Sequence, residues 1–168
     1  KHFNSVEMGE QIWKTLWQAG QKYNISPGCP NLIDRIEGGL MSYGNDFTGE
    51  NNPLECNLEK YCKKNVSHDF IGKSALTKIH NDGIKQRMKG IIFEGDPCSG
   101  IGQPLPVFSK DNKMIGQITS GIYSPRVRKN IGLSMILKEY WDEGQDVIVQ
   151  TLDGHKNNGT ITSLPFPD

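Results

Sequence analysis

The sequence predicts an α+β fold in which a helical first half is followed by a small structure of short strands. Two observations support this prediction. Apolar residues recur at helical spacing in the first half, and from Arg87 onward β-rich runs are separated by turn signals. The predicted strands cover residues 88–94, 105–109, 114–120, 131–137, 146–151 and 159–163. Six short strands at this spacing are typical of a small barrel or sandwich.

The first element is predicted to be an amphipathic helix. Ser5 is a suitable N-cap, and the acidic residues that follow it suit the positive end of a helix dipole. A wide apolar stripe precedes Gly20 and is formed by Met8, Ile12, Trp13, Leu16 and Trp17. Two tryptophans on one short helix require a large partner surface, so we interpret them as packing residues rather than as a cofactor site.

A second helix is predicted to begin at Pro30, because a proline in the first helical position costs no hydrogen bond. Its apolar face is formed by Leu32, Ile33, Ile36 and Leu40. Gly38 and Gly39 weaken the helix end, which indicates close backbone packing or a turn. A helix that ends in this way either supports a pocket or simply leads into a loop.

The segment between the two halves is mixed. Residues 47–53 have a loop composition, and residues 54–66 are ambiguous between helix and strand. Residues 73–82 are predicted to form a helix that ends at Gly83.

Composition excludes several classes of function. The 168 residues carry 19 basic and 19 acidic side chains, so neither a nucleic-acid partner nor an anionic membrane is expected. The apolar runs are far shorter than the roughly 20 residues that span a bilayer, and we expect a soluble, cytoplasmic protein. The four cysteines lack the spacing of a zinc site, so no metal is predicted. The sequence contains no nucleophilic triad and no dinucleotide-binding fingerprint, and we predict no catalytic residue from it.

A family resemblance rests on residues 35–46, which read RIEGGLMSYGND. Further motifs follow in order: NPLE at 52–55, FIGK at 70–73, YSP at 123–125, NIGL at 130–133 and LPF at 164–166. Together they resemble the glycine cleavage T-protein superfamily, whose members move one-carbon units onto tetrahydrofolate. PGCPNLI at 27–33 and SYGNDF at 42–47 are most similar to its dimethylsulfoniopropionate demethylase branch.

This resemblance implies a domain organisation and a partner. Residues 1–46 would be the closing helices of a folate-binding domain, residues 47–85 part of a small α/β middle domain, and residues 86–168 a C-terminal six-stranded antiparallel β-barrel. The expected cofactor is tetrahydrofolate, and the expected partners are the N-terminal folate-binding part of the same protein and a small-molecule methyl donor. The family's catalytic aspartate lies in that N-terminal part, so these 168 residues alone are expected to be inactive.

The resemblance also suggests site residues. Asn31, Ser42 and Tyr43 are candidates for lining the folate pocket, although Asn31 could instead cap a helix and Tyr43 could be a core aromatic. Arg35 and Glu37 could pair with each other in a buried ion pair. The aminomethyltransferases carry an arginine at the position of Asn31 and a further basic residue beyond the LPF motif.

This chain has Asn31 where the aminomethyltransferases have that arginine, and the difference favours the demethylase branch. A glycine cleavage aminomethyltransferase and a non-catalytic folate-binding relative are the alternatives. The segment at 123–128, which carries Arg126 and Arg128, is interpreted as a barrel turn that faces the first domain rather than as a site.

Overall fold

The computed structural model describes residues 6–28, 31–62 and 68–167, with the side chains of Val6 and Glu7 excepted. The predicted N-cap Ser5 and the predicted helix start at Pro30 lie outside the described residues. The chain divides into two compact units, Lys1–Pro30 and Asn31–Asp168. Within the described ranges, no helix combines the length and the apolar character needed to cross a bilayer.

The first unit contains the predicted amphipathic helix, α1, at Val6–Gly20. A 3-10 turn at Gln21–Tyr23 follows and ends at Asn24, which is left-handed with a φ of 55°. The two indole rings on α1 are stacked with their centroids 6.1 Å apart. Trp13 is 55% exposed and Trp17 is 36% exposed, so the apolar stripe is not enclosed.

The second unit contains two helices, α2 at Leu32–Glu37 and α3 at Lys73–Asp82. The prediction for α3 is confirmed, including its end at Gly83, where φ is 79°. Six strands follow: β1 Gln86–Phe93, β2 Leu105–Phe108, β3 Met114–Ser124, β4 Lys129–Leu137, β5 Asp146–Gln150 and β6 Lys156–Thr162.

The six strands form a closed barrel in the order β1-β4-β3-β2-β5-β6, with β6 pairing back onto β1, and every pairing is antiparallel. The choice between barrel and sandwich is therefore settled, and the predicted α+β class is confirmed. The inner core consists of Ile91, Phe93, Leu105, Val107, Ile115, Ile118, Ile136, Val147, Val149 and Ile161.

A second core lies on the outer face of β1 and β4. Side chains alternate across a strand, so Ile131 and Leu133 share a face that Ile136 does not. This outer core consists of Ile36, Met88, Ile131, Leu133 and Phe166. Ile36 belongs to α2 and is fully buried, so α2 covers this face of the barrel.

The segment that was ambiguous from sequence forms neither a helix nor a strand where it is described. It consists of turns and a 3-10 turn at Glu59–Tyr61, and residues 63–66 lie outside the described residues. The N–H of Met88 donates to the carbonyl of Glu55 at 2.7 Å. The Asn57 amide donates in return to the Met88 carbonyl at 2.8 Å, so this segment is fastened to β1.

Candidate functional site

The Gly-rich segment after α2 is a tight loop whose course depends on glycine. Gly39 and Gly44 have φ values of 66° and 85°, a region that side chains with a Cβ rarely adopt. The N–H of Asp46 donates to the Ser42 carbonyl at 2.8 Å, and that of Gly44 donates to the Phe47 carbonyl at 2.8 Å. The loop therefore turns back on itself and carries Ser42 and Tyr43 at its tip.

The side chain of Asp46 is fully buried beneath this loop. Its Oδ2 accepts from the Arg35 guanidinium at 2.8 Å and from the Ser42 N–H at 2.7 Å. Its Oδ1 accepts from the Thr119 hydroxyl at 2.7 Å and the Ser120 hydroxyl at 2.6 Å. The carboxylate thus joins α2, the loop and barrel strand β3.

The charge of Asp46 is stabilised by these donors. Burial by itself raises the pKa of a carboxyl group, because it disfavours the charged form. Hydrogen bonds from the Ser120 and Thr119 hydroxyls, the Ser42 N–H and the Arg35 guanidinium outweigh that effect and hold the pKa of Asp46 below its ordinary value. Asp46 is therefore an ionised, buried group whose oxygens are already occupied.

The alternative in which Arg35 and Glu37 form an ion pair with each other is wrong, because each residue pairs with a different partner. Arg35 binds Asp46, whereas Glu37 pairs with Arg126 at 2.9 Å and accepts from the Ser124 hydroxyl. The Ser124 hydrogen bond, followed by Arg126, lowers the pKa of Glu37 against the opposing effect of burial. Successive residues on a helix point in different directions, which explains why positions 35 and 37 reach different neighbours.

The segment at 123–128 contains the expected turn. It joins β3 to β4, and the Arg126 guanidinium also donates to the carbonyls of Phe166 and Pro167, at 3.3 and 3.0 Å. The N–H of Phe166 donates to the Glu37 carbonyl at 2.9 Å. The turn therefore fastens residues 166–167 against the end of α2.

Two of the three predicted site residues lie together. Ser42 and Tyr43 are neighbours at the exposed tip of the loop, and Tyr43 is 72% exposed with its ring edge-on to Phe47. The alternative reading of Tyr43 as a core aromatic is therefore wrong. Asn31 is the N-cap of α2, and its side-chain oxygen accepts from the Asp34 N–H at 2.9 Å. The six residues of α2, about 9 Å of helix, separate Asn31 from the loop.

An open cavity of about 400 Å³ lies beside the loop. Its lining includes Met41 and Phe47 from the two sides of the loop tip, together with Leu58, Tyr61 and Leu164. Asn31, Ser42 and Tyr43 do not line it. The predicted pocket residues therefore form no part of the wall of this mostly apolar cavity.

The buried thiol of Cys56 is not activated for chemistry. Cys56 is buried, and burial together with the neighbouring Glu55 carboxylate raises the pKa of its thiol to about 11. It is a neutral thiol at pH 7 and not an activated nucleophile. Among the described residues, no cluster of three or more His, Cys, Asp or Glu side chains could hold a metal ion.

Sequence reasoning missed the residues that hold the loop in place. In the sequence, Asp46 ends the motif at 35–46, and Thr119 and Ser120 fall both in a predicted strand and in a family match at 116–120, but none of these patterns gives the three residues a part in holding the loop. One signal was present in the sequence, because two adjacent hydroxyl residues follow Ile118 in a strand where side chains otherwise alternate between faces. Both side chains can reach one carboxylate only where the strand departs from this alternation, as it does at a β-bulge.

Two family models match the chain. The one for the glycine cleavage T-protein C-terminal barrel domain matches residues 87–168, and the one for the GCVT N-terminal domain matches residues 3–66. The chain belongs to the glycine cleavage T-protein family. The resemblance inferred from residues 35–46 and the later motifs is thereby confirmed.

Relatives in this family are transferases. The chain is 38% identical over 150 residues to dimethylsulfoniopropionate demethylase DmdA of Ruegeria pomeroyi, a match that covers 88% of the chain and 40% of that protein. It is 34% identical over 141 residues to an aminomethyltransferase of Thermoanaerobacter pseudethanolicus, covering 82% of the chain and 37% of the relative. The chain therefore spans about two fifths of the length of these relatives.

A solved structure shares the fold. Glycine cleavage system aminomethyltransferase T from Bartonella henselae superposes with a TM-score of 0.69 at 26% sequence identity. The match covers 79% of this chain and 37% of that one. About four fifths of this chain therefore has a structural counterpart in a solved member of the T-protein family.

Proposed function

We propose that the chain is the C-terminal portion of a tetrahydrofolate-dependent one-carbon transferase that takes a methyl group from a sulfonium such as dimethylsulfoniopropionate. The observation that carries this proposal is the 38% identity to the demethylase of Ruegeria pomeroyi over 88% of the chain. Asn31 also supports it, because the resemblance places an arginine at this position in the aminomethyltransferases and Asn31 is occupied as a helix cap.

Ser42 and Tyr43 are the groups that would face folate in this proposal. A hydroxyl and an exposed phenol ring on a fixed loop suit the pterin or aminobenzoyl part of tetrahydrofolate, which offers both hydrogen-bonding groups and a flat ring. Asn31 would contribute through its amide group from the start of α2, where its side-chain oxygen is already used. The chain supplies a wall of the pocket and no catalytic group.

The proposed reaction needs alignment more than acid–base chemistry. The lone pair of folate N5 forms the new N–C bond while the S–C bond breaks, and the sulfur keeps the bonding electrons as a neutral thioether. N5 then loses its proton. A sulfonium is already an activated donor, so positioning the two atoms in a water-poor pocket can supply roughly 7–11 kcal/mol.

The partner in this proposal is the preceding part of the same protein. Several large apolar side chains of α1 are exposed, led by Leu16 at 60% and Trp13 at 55%. An exposed apolar stripe of this kind indicates a surface that another part of a protein covers. The N-terminal folate-binding part is the proposed occupant, and it would also carry the reactive carboxylate.

A substrate comparison with the full-length protein tests the donor. We expect dimethylsulfoniopropionate and tetrahydrofolate to yield methylthiopropionate and 5-methyltetrahydrofolate, detected by mass spectrometry. The second candidate is favoured by the 34% identity to aminomethyltransferases. It predicts instead ammonia and a methylene-folate from a protein-bound aminomethyl donor. Tetrahydrofolate binding without either product would support a non-catalytic folate-binding relative.

A matched pair of tyrosine variants tests the pocket. Tyr43 and Tyr61 are both 72% exposed, but only Tyr61 lines the apolar cavity. In calorimetric titrations of the full-length protein, Tyr43→Ala is expected to raise the Kd for tetrahydrofolate about tenfold, the loss of about 1.4 kcal/mol of contact. Tyr61→Ala is expected to leave the Kd unchanged. The reverse pattern would place folate in the cavity and reject the loop as its binding surface.

A further inference from the structure

The two hydroxyls that bind Asp46 come from an irregularity in the barrel. Ile118 is paired with Ser134 and Ser120 with Leu133, so Thr119 is an extra residue in β3. In a regular strand, adjacent side chains point to opposite faces. The bulge lets the Thr119 and Ser120 hydroxyls reach the same carboxylate oxygen, at 2.7 and 2.6 Å.

Further hydrogen bonds link the same bulge to the loop and to α2. The Asn45 amide donates to the Ser120 hydroxyl oxygen at 2.6 Å and to the Thr119 carbonyl at 3.0 Å. The Arg35 guanidinium donates to the Ser120 hydroxyl oxygen at 2.7 Å as well as to Asp46. Every one of these bonds ends on the bulge or on Asp46, so together they join the loop to one place on the barrel.

We infer that Asp46 is a positioning residue for tetrahydrofolate binding, which it supports by fixing the loop tip that carries Ser42 and Tyr43 to the bulge of β3. The inference rests on the proposed function of that tip. Asp46 itself cannot serve as a proton carrier or a ligand contact, because its side chain is fully buried and four donors within 2.8 Å surround its oxygens. Its influence on folate must pass through the loop.

Binding measurements on the full-length protein test this inference. Asp46→Asn keeps the shape of the side chain but replaces one carboxylate oxygen with an NH₂ group, which cannot accept a hydrogen bond from the surrounding donors. This variant is expected to raise the Kd for tetrahydrofolate about tenfold. Thr119→Val removes one neutral donor, and the expected rise is about threefold. Ser124→Ala is the control, since it removes a comparable hydroxyl–carboxylate bond at Glu37 and leaves the loop untouched. Its Kd is expected to stay within about twofold of the parent.

A double-mutant cycle separates positioning from general destabilisation. If Asp46 acts through Ser42 and Tyr43, then Asp46→Asn has no further effect on the Kd once both loop residues are alanine. Full additivity would overturn the inference. The inference would also be overturned if the Kd is unchanged in Asp46→Asn but raised in the variant with alanine at both Ser42 and Tyr43. That result would still support the loop as the folate-binding surface. If the variant with alanine at both Ser42 and Tyr43 binds tetrahydrofolate with the parent's Kd, the proposal that these residues form the folate-binding surface is rejected.

Amide hydrogen exchange gives a readout that does not depend on folate. The Ser42 N–H donates to Asp46, so its exchange is expected to accelerate about tenfold in Asp46→Asn and more weakly in Thr119→Val. Ser124→Ala is expected to leave it unchanged. Unaltered exchange of residues 42–46 in Asp46→Asn would overturn the anchoring role, whatever the outcome of the folate titrations.

Discussion

Replacing Ile36 with alanine tests whether α2 is held on the barrel by apolar packing. Ile36 is fully buried and contributes to the outer core with Met88, Ile131, Leu133 and Phe166. Removing three buried carbons at about 0.8 kcal/mol each costs about 2.4 kcal/mol. The cavity left behind brings the expected loss in free energy of unfolding to about 3–4 kcal/mol.

Two further variants calibrate this number. Ile36→Val removes one carbon and is expected to cost about 1 kcal/mol. Leu32→Ala lies on the same helix and also removes three carbons, but Leu32 is 41% exposed, so the expected cost is only about 1.4 kcal/mol. Urea unfolding followed by tryptophan fluorescence and by circular dichroism measures all three, and coincident curves justify a two-state treatment. Equal losses for Ile36→Ala and Leu32→Ala would refute the packing described for α2.

Two more predictions concern the loss of stability at acid pH and the pairing of the barrel strands. The pKa of Asp46 is lowered in the fold, so as the pH falls below about 5 the unfolded chain takes up the proton first and stability declines, by at most about 1.4 kcal/mol per pH unit. Urea midpoints between pH 7 and pH 3 should therefore fall less steeply in Asp46→Asn, and parallel curves would contradict this. Gly116→Ala would drive a Cβ into the Met135 carbonyl of the paired strand, and we expect a loss of about 1–3 kcal/mol. Gly102→Ala meets no atom within 4 Å and should change the urea midpoint little; similar losses in both variants would contradict the β3–β4 register.

The strands could be predicted from sequence because their signals are local. Alternating apolar residues predict the strands, and turn residues such as Gly144 and Gly154, both with positive φ, mark the turns on either side of β5. The largest error is at β3, which continues to Ser124 rather than ending at residue 120. The start of β6 is also misplaced, at Lys156 rather than at residue 159. The first residues of β6 are polar, and their pairing with β5 makes them a strand.

The contacts around the candidate site could not be predicted in the same way. Arg35 reaches Asp46 across 11 positions and Ser120 across 85, and Glu37 reaches Arg126 across 89. No spacing rule connects residues so far apart, because the fold of the barrel brings them together. The glycines of the motif at 35–46 predict that the helix ends in a loop, as it does, but the partners of that loop are visible only in the three-dimensional arrangement.

The burial of Ile36 against the barrel has a consequence for how this protein can be divided. The sequence family assigns residues 3–66 to one module and residues 87–168 to the next, yet α2 from the first shields the outer wall of the second. A polypeptide trimmed to begin at residue 87 would present Met88, Ile131 and Leu133 to water and invite self-association. Anyone excising the barrel should keep α2 with it.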